Sequence, residues 1–236
     1  MKPSVRIPSE FCTTGLSRRT FLSRGVVGLL FFSLQPWVLG AVDEAQMLAS
    51  VGKRFGARGQ AAVRDWRQLM STLGGRSESD QLKQINDYFN RRIRFASDLE
   101  VWGLDDYWAT PLEVLGAGAG DCEDYVIAKF FSLRELGVDP RKLRLIYVRA
   151  QIGGASSSIS QAHMVLGYYT TPDAQPLVLD NLIGEIRPAQ QRPDLTPVFS
   201  FNNEGVYAGG AVSSIERITR WKDLLIRMRA EGYLPQ

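Results

Sequence analysis

Apolar side chains recur at helical spacing early in the chain. Ala62, Trp66, Leu69 and Leu73 predict a helix over 58–73. Leu82, Ile85, Phe89 and Ile93 predict a second over 79–93, with Ser77 or Ser79 as its cap and Gly74-Gly75 as the break between the two. The stretch from Trp102 to Trp108 carries no period and reads as a loop of acids and aromatics, followed by a short helix at Pro111–Leu115. A glycine-punctuated segment, Gly116–Gly120, leads into a third long helix from Cys122 to Leu136, stopped by Gly137. The period then changes: 143–150, 163–170 and 177–180 are rich in Val, Leu, Ile and Tyr and read as strands. Between the first two lies a Gly/Ser-rich loop, 153–160. Helical spacing returns over 214–231 through Ile215, Ile218, Trp221, Leu225 and Met228. Helices, then strands, then a helix predict an α+β fold in one domain.

The first forty residues have a different character. Ser17-Arg18-Arg19-Thr20-Phe21-Leu22 reads as a twin-arginine export motif, or as the basic end of a Sec-type signal. The apolar run behind it, 25–39, is shorter than the ~20 residues that span a bilayer, though an uncleaved membrane anchor is a third reading. Export to the periplasm is the expectation, with 1–40 as signal and 41–236 as the folded domain. The formal charge of the whole chain is +3, but residues 41–236 hold 23 basic and 24 acidic side chains. A nearly neutral domain disfavours nucleic-acid binding. Removing the signal also removes Cys12, leaving Cys122 as a lone thiol beside a lone histidine, His163. A multi-histidine metal site and a disulfide scaffold are both excluded.

An unpaired thiol in an oxidising compartment requires a reason. Cys122 follows Asp121, a good N-cap, so its sulfur falls in the first helical turn. There, free backbone N–H groups and the helix dipole favour a thiolate. His163 opens one strand and Asp180 closes the next. A hairpin turning at Thr171-Pro172 pairs residues whose numbers sum to 343, which sets His163 opposite Asp180. An Asp there holds the imidazole in one tautomer, and a Cys-His-Asp triad results. Register carries this inference, and a slip of one residue breaks it.

Three blocks carry a resemblance: Gly120-Asp121-Cys122-Glu123-Asp124-Tyr125, Ala162-His163-Met164-Val165-Leu166 and 176–182, Pro-Leu-Val-Leu-Asp-Asn-Leu. In this order they resemble the bacterial transglutaminase-like cysteine proteinases, above all the members that cut adhesins in the periplasm. Asp106–Pro111 and Phe199–Asn202 also look like family segments. The resemblance runs from about Ala41 to Gly205. It implies a papain-like, transglutaminase-like core, with N-terminal helices and the Cys helix packed on an antiparallel sheet that bears His and Asp. It implies catalysis by Cys122, His163 and Asp180, and cleavage of a large cell-surface adhesin near its N-terminus, with dispersal of biofilm. An inner-membrane receptor for cyclic di-GMP is the implied partner that sequesters the protease.

The resemblance further implies dependence on Ca²⁺. Asp121, Glu123 and Asp124 bracket the nucleophile, and hard oxygen donors suit that ion, with Asp105 and Asp106 as additional candidates. The same acids at a helix start also complement the dipole without any metal. Three carboxylates beside a thiolate repel it, however, unless a cation offsets them. The Cys122 backbone N–H is the expected oxyanion donor, with Trp102 or Trp108 as the source of a second, indole donor. Two other readings stay open: a transglutaminase or amidase built on the same triad, and a non-enzymatic binding module.

Overall fold

The computed structural model describes residues 43–171, 173–208, 211–215 and 218–234; the export segment read at 1–40 lies outside them. No described helix is long and apolar enough to cross a membrane. Among the described residues are six α-helices: α1 (Glu44–Leu73), α2 (Glu78–Arg92), α3 (Asp98–Trp102), α4 (Pro111–Ala117), α5 (Cys122–Glu135) and α6 (Thr219–Ala230). Strands β1 (Arg94–Phe95) and β2 (Ala119–Gly120) form a small parallel pair. The main sheet joins β3 (Leu143–Gln151), β4 (Ser160–Tyr168), β5 (Leu177–Leu179), β6 (Arg187–Pro188), β7 (Leu195–Phe201), β8 (Val206–Ala208) and β9 (Ala211–Ser213). All its pairs are antiparallel, in the order β6-β5-β4-β3-β7-β8-β9. The α+β expectation therefore holds, and so does the order of elements.

Helix α5 runs through the core of the described domain. Every side chain from Asp124 to Leu133 is buried, so this helix is enclosed all round rather than amphipathic. Trp66 of α1 donates its indole N–H to Ser132 Oγ at 3.1 Å, and Trp221 of α6 stacks on Phe131 with centroids 5.5 Å apart. Leu143, Leu145, Met164, Leu166 and Leu179 of the sheet close the same core from the other side. The opposite face of the sheet carries a smaller cluster of Ile146, Val148, Val165 and Val178.

Local chemistry explains the helix boundaries. Ser77 Oγ accepts from the Asp80 N–H, so Ser77, not Ser79, caps α2. Thr110 and Glu113 form a reciprocal capping box at α4, with Pro111 in its first turn. The helix expected from residue 58 begins at Glu44 instead, crossing a kink at Gly56, whose φ of 65° suits glycine. The last helix begins at Thr219 rather than near 214, because β9 runs to Ser213 and Ile218 keeps an extended backbone.

The expected strands correspond to β3, β4 and β5. Strand β7, which the sequence pattern does not show, lies beside β3 and bulges at Val198, opposite the Tyr147–Val148 step of β3. Pro197 and exposed Val198 fall at the bulge and mask the alternation that would have marked a strand.

Candidate active site

Gly118, at φ 67°, closes α4 in the left-handed conformation, and the two residues of β2 then deliver the chain to α5. A Cβ at Gly120 would lie 2.6 Å from Asp124 Oδ2, so only glycine leaves room for that carboxylate. Asp121 occupies the N-cap position of α5 as expected, but its side chain makes no capping hydrogen bond. Cys122 is the only free cysteine among the described residues. Its sulfur sits in the first turn, where α5 packs against β4, and the backbone N–H of Met164 is directed at it. Met164 is the residue after His163.

The His163–Asp180 hairpin forms with a different register. Leu166 pairs with Leu179, Gly167 with Val178 and Tyr168 with Leu177, so paired numbers sum to 345, not 343. His163 and Asp180 are therefore diagonal neighbours rather than a facing pair. A two-residue shift preserves the face, because strand side chains alternate with period two. His163 Nε2 lies 2.8 Å from Asp180 Oδ1, and both residues are almost fully buried.

Asp180 is held by more than the histidine. Burial opposes its ionisation. The hydrogen bond and charge of His163, the Leu182 N–H at 3.1 Å and the Arg192 guanidinium outweigh it, holding the carboxyl down at about 2. Arg192 is itself buried; Nη2 donates to Asp180 Oδ2 and to Asp194 Oδ2, each at 2.8 Å. Nothing in the local sequence marks Arg192. An Arg192→Met change removes the guanidinium that the buried Asp180 carboxylate pairs with through Oδ2, and should cost about 3–5 kcal/mol in denaturant-melt stability. The sign with pH follows from the lowered carboxyl: what Asp180 contributes is present above its ordinary value of 3.8 and fades as pH falls toward 2.

The thiol itself departs from the expectation of a lowered pKa. Burial pushes the Cys122 thiol well up, and the charges of Glu123 and Asp121 push it further. Its S–H donates to Glu123 Oε2 at 3.0 Å, which favours the neutral form. The helix N-terminus and the Met164 N–H work in the opposite direction but are outweighed.

The carboxylates that cause this form a cluster. Asp121 lies with Cys122 and Glu123, with Asp98 and Asp124, and Asp98 lies with Asp106 and Glu123, each set within 4.8 Å. Asp98, at the start of α3, was not foreseen, and exposed Asp105 is not in the cluster. Burial and neighbouring carboxylates raise Asp121 to about 9 and Asp124 well above its ordinary value. Asp98 is raised to about 6, chiefly by burial. Three buried oxygens, Asp98 Oδ1, Asp121 Oδ1 and Asp124 Oδ2, have no hydrogen-bond partner. Converging orphan carboxylate oxygens with raised pKa values are what a hard divalent cation would satisfy.

Of the two indoles, Trp108 belongs to the core, stacked on Phe201 at 5.7 Å. Trp102 packs on Tyr107 beneath the Arg54 guanidinium. Neither N–H has a hydrogen-bond partner.

A family model described as bacterial transglutaminase-like cysteine proteinase BTLCP matches residues 58–194, more than half of the chain and a range that includes Cys122, His163 and Asp180. The chain belongs to this family of cysteine proteases. Solved structures of Legionella pneumophila LapG are similar to it. The EGTA-treated form is 34% identical with a TM-score of 0.67, covering 78% of this chain and 97% of that one. A second LapG structure gives the same identity and score, with 95% of its chain covered. The calcium-bound form is again 34% identical, with a TM-score of 0.66 over 77% of this chain and 97% of that one. The comparison with curated proteins gives no match. For a protease of this family the fold is the transglutaminase-like one expected, and the helix bearing Cys122 packs on the antiparallel sheet bearing His163.

Proposed function

We propose that this protein is a calcium-dependent cysteine endopeptidase of the periplasm, acting through Cys122, His163 and Asp180. The observation that carries the reading is the His163–Asp180 contact of 2.8 Å on the strand against which the Cys122 helix packs. With Nε2 committed to Asp180, the other ring nitrogen of His163 is left to accept the thiol proton. The Cys122 sulfur then attacks the peptide carbonyl, the imidazolium protonates the leaving amine, and water hydrolyses the thioester. The Cys122 backbone N–H, at the open start of α5, supplies one oxyanion donor.

Asp98, Asp121, Glu123 and Asp124 would hold the Ca²⁺, with Asp106 as a further ligand; this is the orphan-oxygen cluster described above. When bound, the ion offsets the carboxylate charge that keeps the adjacent thiol protonated. The calcium-bound LapG structure supports the choice of metal.

The resemblance to adhesin-cleaving proteases supplies the substrate: the N-terminal region of a large cell-surface adhesin, whose release disperses biofilm. The same resemblance supplies the partner, an inner-membrane cyclic di-GMP receptor that sequesters the enzyme. Incubating the purified protein and calcium with that adhesin region and a fluorescent amine tests the chemistry. Two peptide products without amine incorporation are expected. Amine incorporation without cleavage would move the reading to a transglutaminase, and neither product would leave a binding module.

A further inference from the structure

Beneath Asp180 lies a polar group that the chemistry above does not use. Lys129 of α5 is completely buried, with no exposed surface. Its Nζ donates to Asn90 Oδ1 of α2 at 2.7 Å and to the Asp180 backbone carbonyl at 3.3 Å. Asn90 Nδ2 donates to the same carbonyl at 2.7 Å. The Tyr125 ring also lies beside the ammonium, 5.6 Å from Nζ to centroid. A lysine in a core is expensive to bury, and a methionine would fill similar space without that cost. Burial accordingly pulls its pKa down to about 7 against the opposing charges of Asp180 and Asp87.

The position of the lysine gives the expense a purpose. Lys129 follows Cys122 by seven residues, two turns along one face of α5, about 10 Å away along its axis. One rigid helix thus carries the nucleophile at its start and, two turns on, the ammonium that grips the main chain of Asp180. The Asp180 carboxylate in turn grips His163. We propose that Asn90 and Lys129 are positioning residues, which clamp the Asp180 carbonyl and so set the His163 imidazole relative to the Cys122 sulfur. The clamp rests on the triad reading above. It goes beyond that reading by assigning the setting of catalytic geometry to two residues outside the triad.

The test uses the purified protein with Asn90→Ser, Lys129→Met and the Asn90→Ser/Lys129→Met double change. Cleavage of the adhesin N-terminal region with calcium reads kcat and KM, and iodoacetamide labelling at neutral pH reads the readiness of Cys122 without any substrate. Thermal melts confirm that each variant is folded; Asn90→Ser, the milder change, decides if Lys129→Met does not fold. A misplaced base should lower kcat by about tenfold or more with KM within about twofold, and labelling should slow in parallel. Because both residues act through one carbonyl, the double variant should lose no more than the worse single. If folded single variants keep kcat and labelling rates within about twofold and only the melting temperature falls, the pair is structural and the proposal is overturned. If the unaltered protein cleaves nothing, the protease reading fails, and labelling alone then decides the clamp.

Discussion

Cys122→Ala should abolish peptide cleavage, by a factor of at least ~10³, while the protein stays folded. The two halves of that expectation have separate causes. Loss of activity follows because no other described thiol exists to take over as nucleophile. Retained folding follows from the surroundings of the side chain. Cys122 is a small residue, half-buried at the edge of the core, and it lies among carboxylates that gain nothing from its ionised form. Removing it leaves Tyr125 to Leu133 of α5 packed as before. Cleavage assayed on a gel and a thermal melt on the same sample check both halves. Cleavage surviving in the alanine variant would eliminate the mechanism. His163→Ala is a weaker experiment, because it also strips one partner from the buried Asp180 carboxylate and opens a gap in its buried surroundings, which invites unfolding.

Chelation with EGTA should abolish cleavage as completely as removal of the sulfur, and calcium should restore it. The physical reason is electrostatic. In the cation-free protein, burial and the Glu123 and Asp121 carboxylates hold the Cys122 thiol protonated. Asp98, raised to about 6, and Asp121, raised to about 9, bind protons more tightly than they do in an unfolded chain. The folded state therefore holds the extra protons, so the chelated protein loses stability as pH rises from about 4 toward 9. A cation competes with those same protons, so calcium affinity should strengthen across pH 6 to 9 with protons released. Calorimetry in two buffers of different ionisation enthalpy measures that release, and iodoacetamide labelling reads the thiol directly. Equal cleavage and equal labelling with EGTA and with calcium would return Asp121, Glu123 and Asp124 to a purely helix-terminal role.

Much of this architecture could be read from local pattern. Leu82, Ile85 and Phe89 sit on the buried face of α2, and Thr110 and Glu113 open α4 with reciprocal hydrogen bonds around Pro111. Helix α5 was located to within a residue because Asp121, Cys122 and Gly137 bound a run of apolar side chains. Strands were harder. Two-residue β1, β2 and β6 have no period to display, and β7 hides its alternation behind Pro197 and a bulge. The hairpin of β4 and β5 shows how a partly wrong inference kept its conclusion. The register moved by two residues, an even number, so His163 and Asp180 stayed on one face and reached each other diagonally.

By itself, the sequence determined the long helices, the three strands β3, β4 and β5, the α+β class and the chemical inventory: one thiol at a helix start, one imidazole on a strand, and acids beside the thiol. These are short-range properties, decided by spacing, capping and residue type within a few turns of chain. Only the tertiary structure decided what surrounds them. Arg192 reaches the Asp180 carboxylate across a loop, Asn90 and Lys129 reach its carbonyl from two helices, and Asp98 joins the acidic cluster from α3. The direction of the Cys122 pKa was decided there too. The local dipole argument pointed to a thiolate, while burial among converging carboxylates, a property of the folded core, reversed it.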